Sequence, residues 1–344
     1  ITLFVDKREV IDYLSHIDPI EGVIVFDDEY IKNRIIAQVK VSFRYGKEED
    51  EVMGLHFSKE LFLVSQIIYP SNEQSKMSKL QKKLLEKHVG KNAVPFRLQL
   101  DSNAPQSVIL NSFGEGKQCG IQYTVRVFAS HQDDDKPLKM SNIEMSFRKV
   151  QWTPVGQGKQ PYCVIRKDFL FSPGELELEA TLDKPLYFHG ENIAVSVSIR
   201  NFSKKSVKRI NVTVVQNVDV SMFTSGHYNI ALTSTDIQEG CPIEPGSSLQ
   251  KTVILETTPE EYKHRRGVAV EGDILKETLR LASSTLHIEK QKPTEKSTTD
   301  TFGIHVSYSV KVKVMLGAVA GELVGELPFL LMSQNSQYSK KQKE

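Results

Sequence analysis

The sequence predicts an all-β protein built from antiparallel β-sandwiches. Apolar and polar residues alternate with a period of two along much of the chain, as in VKVSFRY at residues 39–45. This alternation is typical of strands with one buried face and one solvated face. Turn-forming residues separate the alternating segments, at residues 183–185, 189–191 and 244–246. Only one segment has the period of a helix.

Further strands follow from the same alternation. It recurs in residues 121–127, 176–182, 193–199 and 306–314. Many strands separated by turn signals favour sandwiches over a sheet covered by helices.

The one helical pattern runs from Ser75 to Val89, in the N-terminal part of the chain. Its apolar residues fall on one face and lysines occupy the rest, and Gly90 is predicted to end the helix. Two interpretations remain open, a surface helix that covers a sheet and a basic amphipathic membrane anchor. The narrow apolar stripe favours the first.

The 344 residues predict two domains, since this length is two to three times that of a typical single domain. We place the hinge near Phe171–Gly174, after the polar segment Thr153–Pro161. The predicted domains are residues 1–172 and 173–332, and residues 333–344 are predicted to be a disordered tail. Residues 289–300 are predicted to be a polar loop within the second domain.

Composition excludes several classes of protein. With 44 basic and 43 acidic side chains, spread evenly over both halves, the chain does not have the charge of a nucleic-acid-binding protein. Its most apolar segment, residues 315–331, is interrupted by Glu322 and Glu326 and is not a membrane span. Three widely separated cysteines give no disulfide framework, which favours a reducing, cytosolic compartment.

Motifs for catalysis are missing from the sequence. It has no phosphate-binding glycine loop, no HExxH and no GxSxG, so we predict that it is not an enzyme. A Cys–His pair formed only in space stays open as an alternative. The acidic runs lack EF-hand spacing, and we predict neither a metal nor a cofactor.

Residues 45–54, YGKEEDEVMG, are the most informative loop. They join two strand patterns, are longer than a tight hairpin, and carry an acidic middle followed by Val52 and Met53. Binding sites concentrate in long loops on rigid scaffolds. A recognition loop and a merely long loop are equally compatible with these residues.

Short motifs in collinear order over nearly the whole chain resemble the arrestins, and within them the invertebrate photoreceptor arrestins. The matching residues are Lys7-Arg8, FRYG (43–46), VMGL (52–55), RKV (148–150), RKDF (166–169), SPGELELE (172–179), LDK (182–184), HGE (189–191), GCPIEPGSSLQK (240–251), RRG (265–267), LASST (281–285), VSY (306–308) and ELPF (326–329).

The resemblance implies two cupped, immunoglobulin-like antiparallel sandwiches and a non-enzymatic function. Arrestins bind activated, phosphorylated rhodopsin or another G-protein-coupled receptor at its cytoplasmic face and block G-protein coupling. This implies a cytoplasmic protein that is recruited to the rhabdomere membrane when the receptor is active. The finger loop that enters the receptor would contain Tyr45, Gly46, Glu48, Glu49, Asp50, Val52, Met53, Gly54 and Leu55. The middle loop would be residues 128–135, and the lariat loop residues 265–285.

The resemblance also implies a phosphate sensor. Its cations fall on Lys7, Arg8, Arg166 and Lys167, and its acidic partners on Glu9, Glu271 and Thr278. Lys167 replaces an arginine, Glu9 is one methylene longer than the usual acid, and Thr278 carries no charge. Two charges about 4 Å apart interact by roughly 4 kcal/mol at an effective dielectric near 20. We therefore expect this charge cluster to be weaker than in relatives with a full set of charges. Binding is expected to depend less on receptor phosphorylation than it does in the vertebrate rod relatives.

Other features that the resemblance implies match the family pattern only in part. Asp273 stands where the lariat loop usually has a lysine. Lys311 and Lys313 match an inositol-phosphate patch of some members, but Asn211 and Val215 do not. A peripheral membrane contact is expected, and the oligomeric state stays open. The family's first strand and regulatory C-terminal tail are expected to lie outside these residues.

Two rival functions use the same kind of scaffold. An arrestin-like trafficking adaptor for membrane cargo would need no receptor loop, and the PPxY motifs of α-arrestins do not occur in the sequence. A transglutaminase-like β-sandwich enzyme would need a Cys-His-Asp set with a reactive thiol.

Overall fold

The computed structural model describes residues 1–13, 15–44, 58–70, 77–111, 119–131, 136–149, 159–169, 172–221, 225–262, 265–272, 279–286, 303–317 and 321–332. The chain divides into two compact units. The first comprises Ile1–Val150 and Glu271–Leu279, and the second Gln151–Val270 and Arg280–Glu344. The predicted tail and the predicted polar loop at 289–300 lie outside the described residues.

Among the described residues, the first unit has nine strands and one α-helix. The strands are β1 (Thr2–Val5), β2 (Glu9–Asp12), β3 (Ile20–Phe26), β4 (Arg34–Arg44), β5 (Ser58–Tyr69), β6 (Asn92–Leu98), β7 (Val108–Leu110), β8 (Cys119–Ser130) and β9 (Lys139–Lys149), and the helix is α1 (Lys79–Lys87). Antiparallel β1, β3 and β6 form one sheet, in the order β1-β3-β6. A larger sheet has the order β7-β8-β4-β5, and β9 also pairs with β8. The short β2 runs parallel to β9.

Alternation in the sequence becomes alternation in burial. Val39, Val41 and Phe43 of β4 are buried, whereas Lys40 and Ser42 between them are half-buried. Apolar residues of β8 repeat the pattern at the neighbouring strand. The predicted all-β fold class is therefore confirmed, and the core of this unit lies beneath the apolar rows of its sheets.

Helix α1 is shorter than the predicted segment 75–89. It begins at Lys79 because Ser78 and Gln81 form a capping box, in which the Ser78 hydroxyl accepts from the Gln81 backbone and the Gln81 side chain accepts from the Ser78 backbone. The buried Gln81 also donates to two strand carbonyls, of Gly22 in β3 (3.2 Å) and Phe96 in β6 (2.8 Å). One side-chain amide thus fixes the helix to both strands beneath it.

In its described part, the second unit forms two sheets. Its strands are β10 (Tyr162–Phe169), β11 (Ser172–Leu182), β12 (Leu186–Phe188), β13 (Ile193–Asn201), β14 (Arg209–Ser221), β15 (Ser225–Ile237), β16 (Ser248–Leu255), β17 (Ala269–Glu271), β18 (Arg280–Leu281), β19 (Gly303–Gly317) and β20 (Gly321–Met332), with a helical turn α2 (Pro259–Tyr262). The sheet orders are β10-β11-β13-β16 and β12-β20-β19-β14-β15. Alternate apolar residues of β11, β13 and β19 are buried, as the sequence predicts.

The position of β10 differs from the predicted domain boundary. The sequence analysis placed residues up to 172 in the first domain, whereas β10 lies in the second unit. The reason is hydrogen bonding, because Tyr162 to Asp168 are in antiparallel register with Thr181 to Glu175 of β11. By this pairing, β10 belongs to the second unit.

Candidate functional site

The predicted phosphate-binding residues of the first unit, Lys7 and Arg8, directly precede β2. Parallel pairing of β2 with β9 holds this segment, since the Ser146 amide donates to the Arg8 carbonyl at 2.9 Å. Lys7 donates to the Asp18 carboxylate at 2.5 Å. The Arg8 side chain is exposed and has no ion-pair partner among the residues described. Arg8 is therefore immediately available to an anion, whereas Lys7 must first leave Asp18.

A pocket in the first unit adjoins Arg8. It is lined on one side by apolar residues of β7 and β8, and its polar lining includes Ser107, Glu144 and Glu271. Because both carboxylates lie near a single arginine, this pocket has mixed charge rather than the field of a pure anion site.

The predicted acidic partners have separate contacts. Glu9 accepts from Arg148 at 2.9 Å, and the pair is partly exposed. Glu271 is 3% exposed and accepts from the Gln106 amide at 2.9 Å. Thr278 and Asp273 lie outside the described residues.

Sequence analysis missed one buried acid in this region. Asp12, the last residue of β2, is buried and stands opposite Lys149 in the β2–β9 register. The sequence contained an indication of this burial, because Asp12 lies two residues after Val10 and therefore on the same, buried face of β2. An acid on the buried side of a strand must be paired or hydrogen-bonded, which makes such positions candidates for functional clusters.

Two predicted cations lie on opposite faces of β10 in the second unit. Lys167 points inward and its ammonium donates to the Glu322 carbonyl at 3.0 Å. Arg166 points outward and donates to Glu177 at 2.6 Å, and this carboxylate raises the pKa of Arg166. Arg200 of β13 donates to the other oxygen of Glu177 at 2.8 Å. The nearly buried Glu177 is thus held between two arginines, and Arg166 is already occupied.

The predicted finger loop lies outside the described residues, from Tyr45 to Leu55. Its attachment points are described. Strands β4 and β5 stay paired as far as Arg44 and Ser58, so the thirteen intervening residues leave from two adjacent strand ends. This is much longer than a two-residue hairpin turn.

The other two loops are described in part. Residues 132–135 of the middle loop lie outside the described residues, but its start is held because Asn33 and Arg34 donate to the carbonyls of Ser130 and His131. In the lariat loop, residues 273–278 lie outside the described residues. Its end is fixed within the second unit, where the amides of Ser284 and Thr285 donate to β20 and β19.

The lysines of the suggested inositol-phosphate patch have acidic neighbours. Lys311 lies 3.8 Å from Glu326, and Lys313 lies 3.1 Å from Glu322. Asn211 is bound to Ser234 and Asp236. The face of β19 is therefore close to neutral, and this weakens the case for a polyphosphate site there.

Within the described residues, no helix has both the length and the apolar composition of a membrane span. Nor do the described His, Cys, Asp and Glu residues form a group of three that could hold a metal ion.

Comparison with known proteins identifies both units. Residues 1–150 match the family model "Arrestin (or S-antigen), N-terminal domain", and residues 172–336 match the corresponding C-terminal domain. An arrestin homolog of Heliothis virescens is 47% identical, over 96% of this chain and 87% of its own length. Phosrestin-2 of Drosophila melanogaster is also 47% identical, over 96% and 91%. The lateral eye arrestin of Limulus polyphemus is 41% identical, over 100% and 86%. The resemblance stated from the sequence is confirmed, and the chain belongs to the arrestin family.

Proposed function

We propose that this protein binds light-activated, phosphorylated rhodopsin, or a related G-protein-coupled receptor, at its cytoplasmic face and blocks G-protein coupling. It acts by occupancy and not by catalysis. It works in the cytoplasm of a photoreceptor cell and is recruited to the rhabdomere membrane when the receptor is active. The observation that carries the proposal is the near full-length similarity to arrestins that include one from a lateral eye.

The long loop between β4 and β5 supports insertion into a receptor cavity. The two strand residues that flank it, Arg44 and Ser58, are paired side by side, so both ends of this segment are anchored at one edge of the sheet. Val52 and Met53 supply apolar side chains for the wall of a cavity, and the acidic run at residues 48–51 precedes them. In this proposal, residues 45–55 enter the receptor and exclude the G protein.

Phosphate binding is assigned first to Arg8. A phosphorylated side chain brings about −1.5 to −2 charges, and an unpaired guanidinium can bind it through two parallel hydrogen bonds. Lys7 can also bind the phosphate, because the Lys7 side chain is 45% exposed in its ion pair with Asp18 and exposed pairs of this kind contribute at most about 1 kcal/mol. An ion pair between Lys7 and the phosphate compensates for the loss of the pair with Asp18.

The dependence on phosphate is proposed to be weaker than in vertebrate rod arrestins. Lys167 binds a single backbone carbonyl, where an arginine would offer a planar fork to carboxylates. Arg166 is engaged by Glu177, and Glu9 by Arg148. Lys167 itself has no ion pair among the described residues, so phosphate has one charge pair fewer to break. Receptor activation alone therefore supplies more of the free energy for the conformational switch.

Co-sedimentation with rhabdomeric membranes tests the proposal. Wild type is compared in dark and light, with and without phosphatase, with two variants, Lys167→Glu and a deletion of Glu48–Glu51. A deletion of Thr294–Ser297 is the matched control, since it also removes four polar residues, from a segment that the sequence predicts to be a loop. We expect light-dependent binding that largely survives dephosphorylation, falls at least tenfold in the Glu48–Glu51 deletion, and is unchanged in the control.

Each other outcome has a defined meaning. Complete loss of binding on dephosphorylation contradicts the weak dependence on phosphate but leaves receptor binding intact. Equal binding in dark and light contradicts receptor capping and favours a trafficking adaptor for membrane cargo.

A further inference from the structure

One face of the larger sheet in the first unit carries an apolar row with exposed ends. Ile36 of β4 pairs with Ile67 of β5 on one side and with Phe128 of β8 on the other. Phe128 pairs in turn with Met140 of β9. Paired residues point to the same side of a sheet, so these side chains form one row across four strands. The central two are buried, whereas Ile67 is 44% exposed and Met140 is 46% exposed.

An arginine stacked on aromatic rings lies beside this row. Arg126 precedes Phe128 by two residues in β8 and therefore points to the same side of the sheet. Its guanidinium carbon lies 5.2 Å from the centre of the Phe128 ring and 4.5 Å from the centre of the Phe62 ring. Phe62 is itself 50% exposed. Contact with two phenyl rings attracts the cation and restrains the plane of its guanidinium group.

Hydrogen bonds fix the orientation of the same guanidinium group. The Nε of Arg126 donates to the side-chain oxygen of Gln38 at 2.7 Å, and the Gln38 amide donates to the Ser65 hydroxyl at 3.0 Å. Within the described part of the chain, the two Nη groups of Arg126 have no acceptor. An arginine that is already ordered and still has free donors loses little entropy when it binds an anion.

The charge of Arg126 has no ion-pair partner among the residues that the structure describes. Burial lowers the pKa of the half-buried Arg126, and the nearby Glu60 offsets this effect only in part. Glu60 is itself paired with Lys40 at 2.7 Å. Removing a cation from water is unfavourable unless an opposite charge compensates for it. The environment of Arg126 therefore favours an anion supplied from outside the described sheet.

We propose that the Arg126 surface docks an apolar segment of a partner protein that carries one aspartate or glutamate. This surface comprises Arg126 and four apolar side chains, those of Phe62, Ile67, Phe128 and Met140. Arginine and aromatic residues in a water-excluding surround have the composition of binding hot spots. A carboxylate can accept from both Nη groups, and its single charge matches one guanidinium. A phosphate, with about −1.5 to −2 charges, is matched less well because Glu60 is also close.

The Arg126 surface is separate from the strand ends that flank residues 45–57. Gln38, which orients Arg126, lies six positions before Arg44 in β4, or about 20 Å along the strand. Docking at this surface needs no receptor, so the inference goes beyond the proposed function.

Peptide selection on the full chain tests the inference. A phage library of short random peptides is selected on wild type, and peptides that also bind Arg126→Gln are removed. We expect the enriched peptides to share one acidic residue flanked by apolar residues. The affinity of the most enriched peptide, and of a version in which the acid is replaced by its amide, is then measured by fluorescence polarisation.

Variants separate the charge from the apolar row. Arg126→Gln should weaken binding of the acidic peptide at least tenfold and leave the amide version within twofold, since only the charged contact is lost. Arg126→Lys should retain part of the affinity, because it keeps the charge without the planar fork. Arg97→Gln, at an exposed arginine of the other sheet, is the matched control. Met140→Gln should weaken both peptides about threefold, whereas Val89→Gln, at a residue 84% exposed, should weaken neither.

Several results would overturn the inference. Enriched peptides without an acid, or an equal loss for both peptides in Arg126→Gln, remove the role of the guanidinium group. Failure to enrich any peptide contradicts docking at this surface, and tighter binding of a phosphoserine version of the peptide assigns the site to phosphate. No receptor is present in these assays, so their failure leaves the receptor experiment unaffected, and the reverse also holds.

Discussion

Replacing Gln81 by methionine should destabilise the first unit although the side chain keeps its length. The change removes three hydrogen bonds, to the carbonyls of Gly22 and Phe96 and from the backbone of Ser78. Each is worth about 1 kcal/mol net, and burial of the added apolar atoms offsets a part. We expect a loss of about 2–3 kcal/mol in the free energy of unfolding, a large fraction of the 5–15 kcal/mol typical of a domain.

Urea unfolding followed by circular dichroism measures this loss. With a slope of about 2 kcal/mol per molar, the midpoint of the first unit should fall by about 1–1.5 M. Lys82→Met is the control, since it makes a similar change at the exposed neighbour and should stay within about 0.5 kcal/mol of wild type. Ser78→Ala should cost about 1 kcal/mol, and the double variant less than the sum, because the two residues share one capping box. A Gln81→Met protein as stable as the control refutes the anchoring argument.

Three further predictions concern the binding residues and the fold. Arg8→Gln should weaken binding to phosphorylated, illuminated membranes by no more than dephosphorylation of the wild-type system does, and should leave binding to dephosphorylated membranes unchanged; an equal loss in both assays would contradict the phosphate assignment. Gly174→Ala should cost at least 2 kcal/mol in urea unfolding, since Gly174 has a φ of 93° and a Cβ would lie 2.0 Å from a carbonyl oxygen; wild-type stability would contradict this. Hydrogen bonds from Arg209 and Asn211 lower the pKa of Asp236, so its contribution is complete above the ordinary carboxyl pKa of about 3.9 and is lost as the pH falls through the lowered value. Unfolding between pH 2 and 6 should therefore show a shallower acid-side decline in Asp236→Asn, by less than about 1 kcal/mol, and an unchanged profile would count against the pair.

Strands were predictable because their signal is local. The alternation around Val39 or Ile121 reports one buried and one solvated face whatever the partner strand is. The family followed from short motifs in collinear order, which do not depend on contacts. The start of α1 was also within reach, since Ser78 and Gln81 have the spacing of a capping box.

Contacts between distant residues were not predictable in the same way. Arg166 and Arg200 meet on Glu177 only because β10 and β13 flank β11 in a particular register, and no local pattern fixes a register between strands. The assignment of β10 to the second unit has the same origin. The hydrogen bond from Gln106 to Glu271 joins residues that are 165 positions apart, so the sequence around either residue gave no indication of the pair.

Competition with the G protein tests the central claim most directly. Nucleotide exchange on the G protein is measured on illuminated rhabdomeric membranes while wild type, or the Glu48–Glu51 deletion, is added in increasing amounts. The account predicts that wild type suppresses exchange to the dark level as it saturates the receptor, and that the deletion suppresses it at least tenfold less potently. Full binding of wild type to illuminated membranes with undiminished nucleotide exchange would contradict the account.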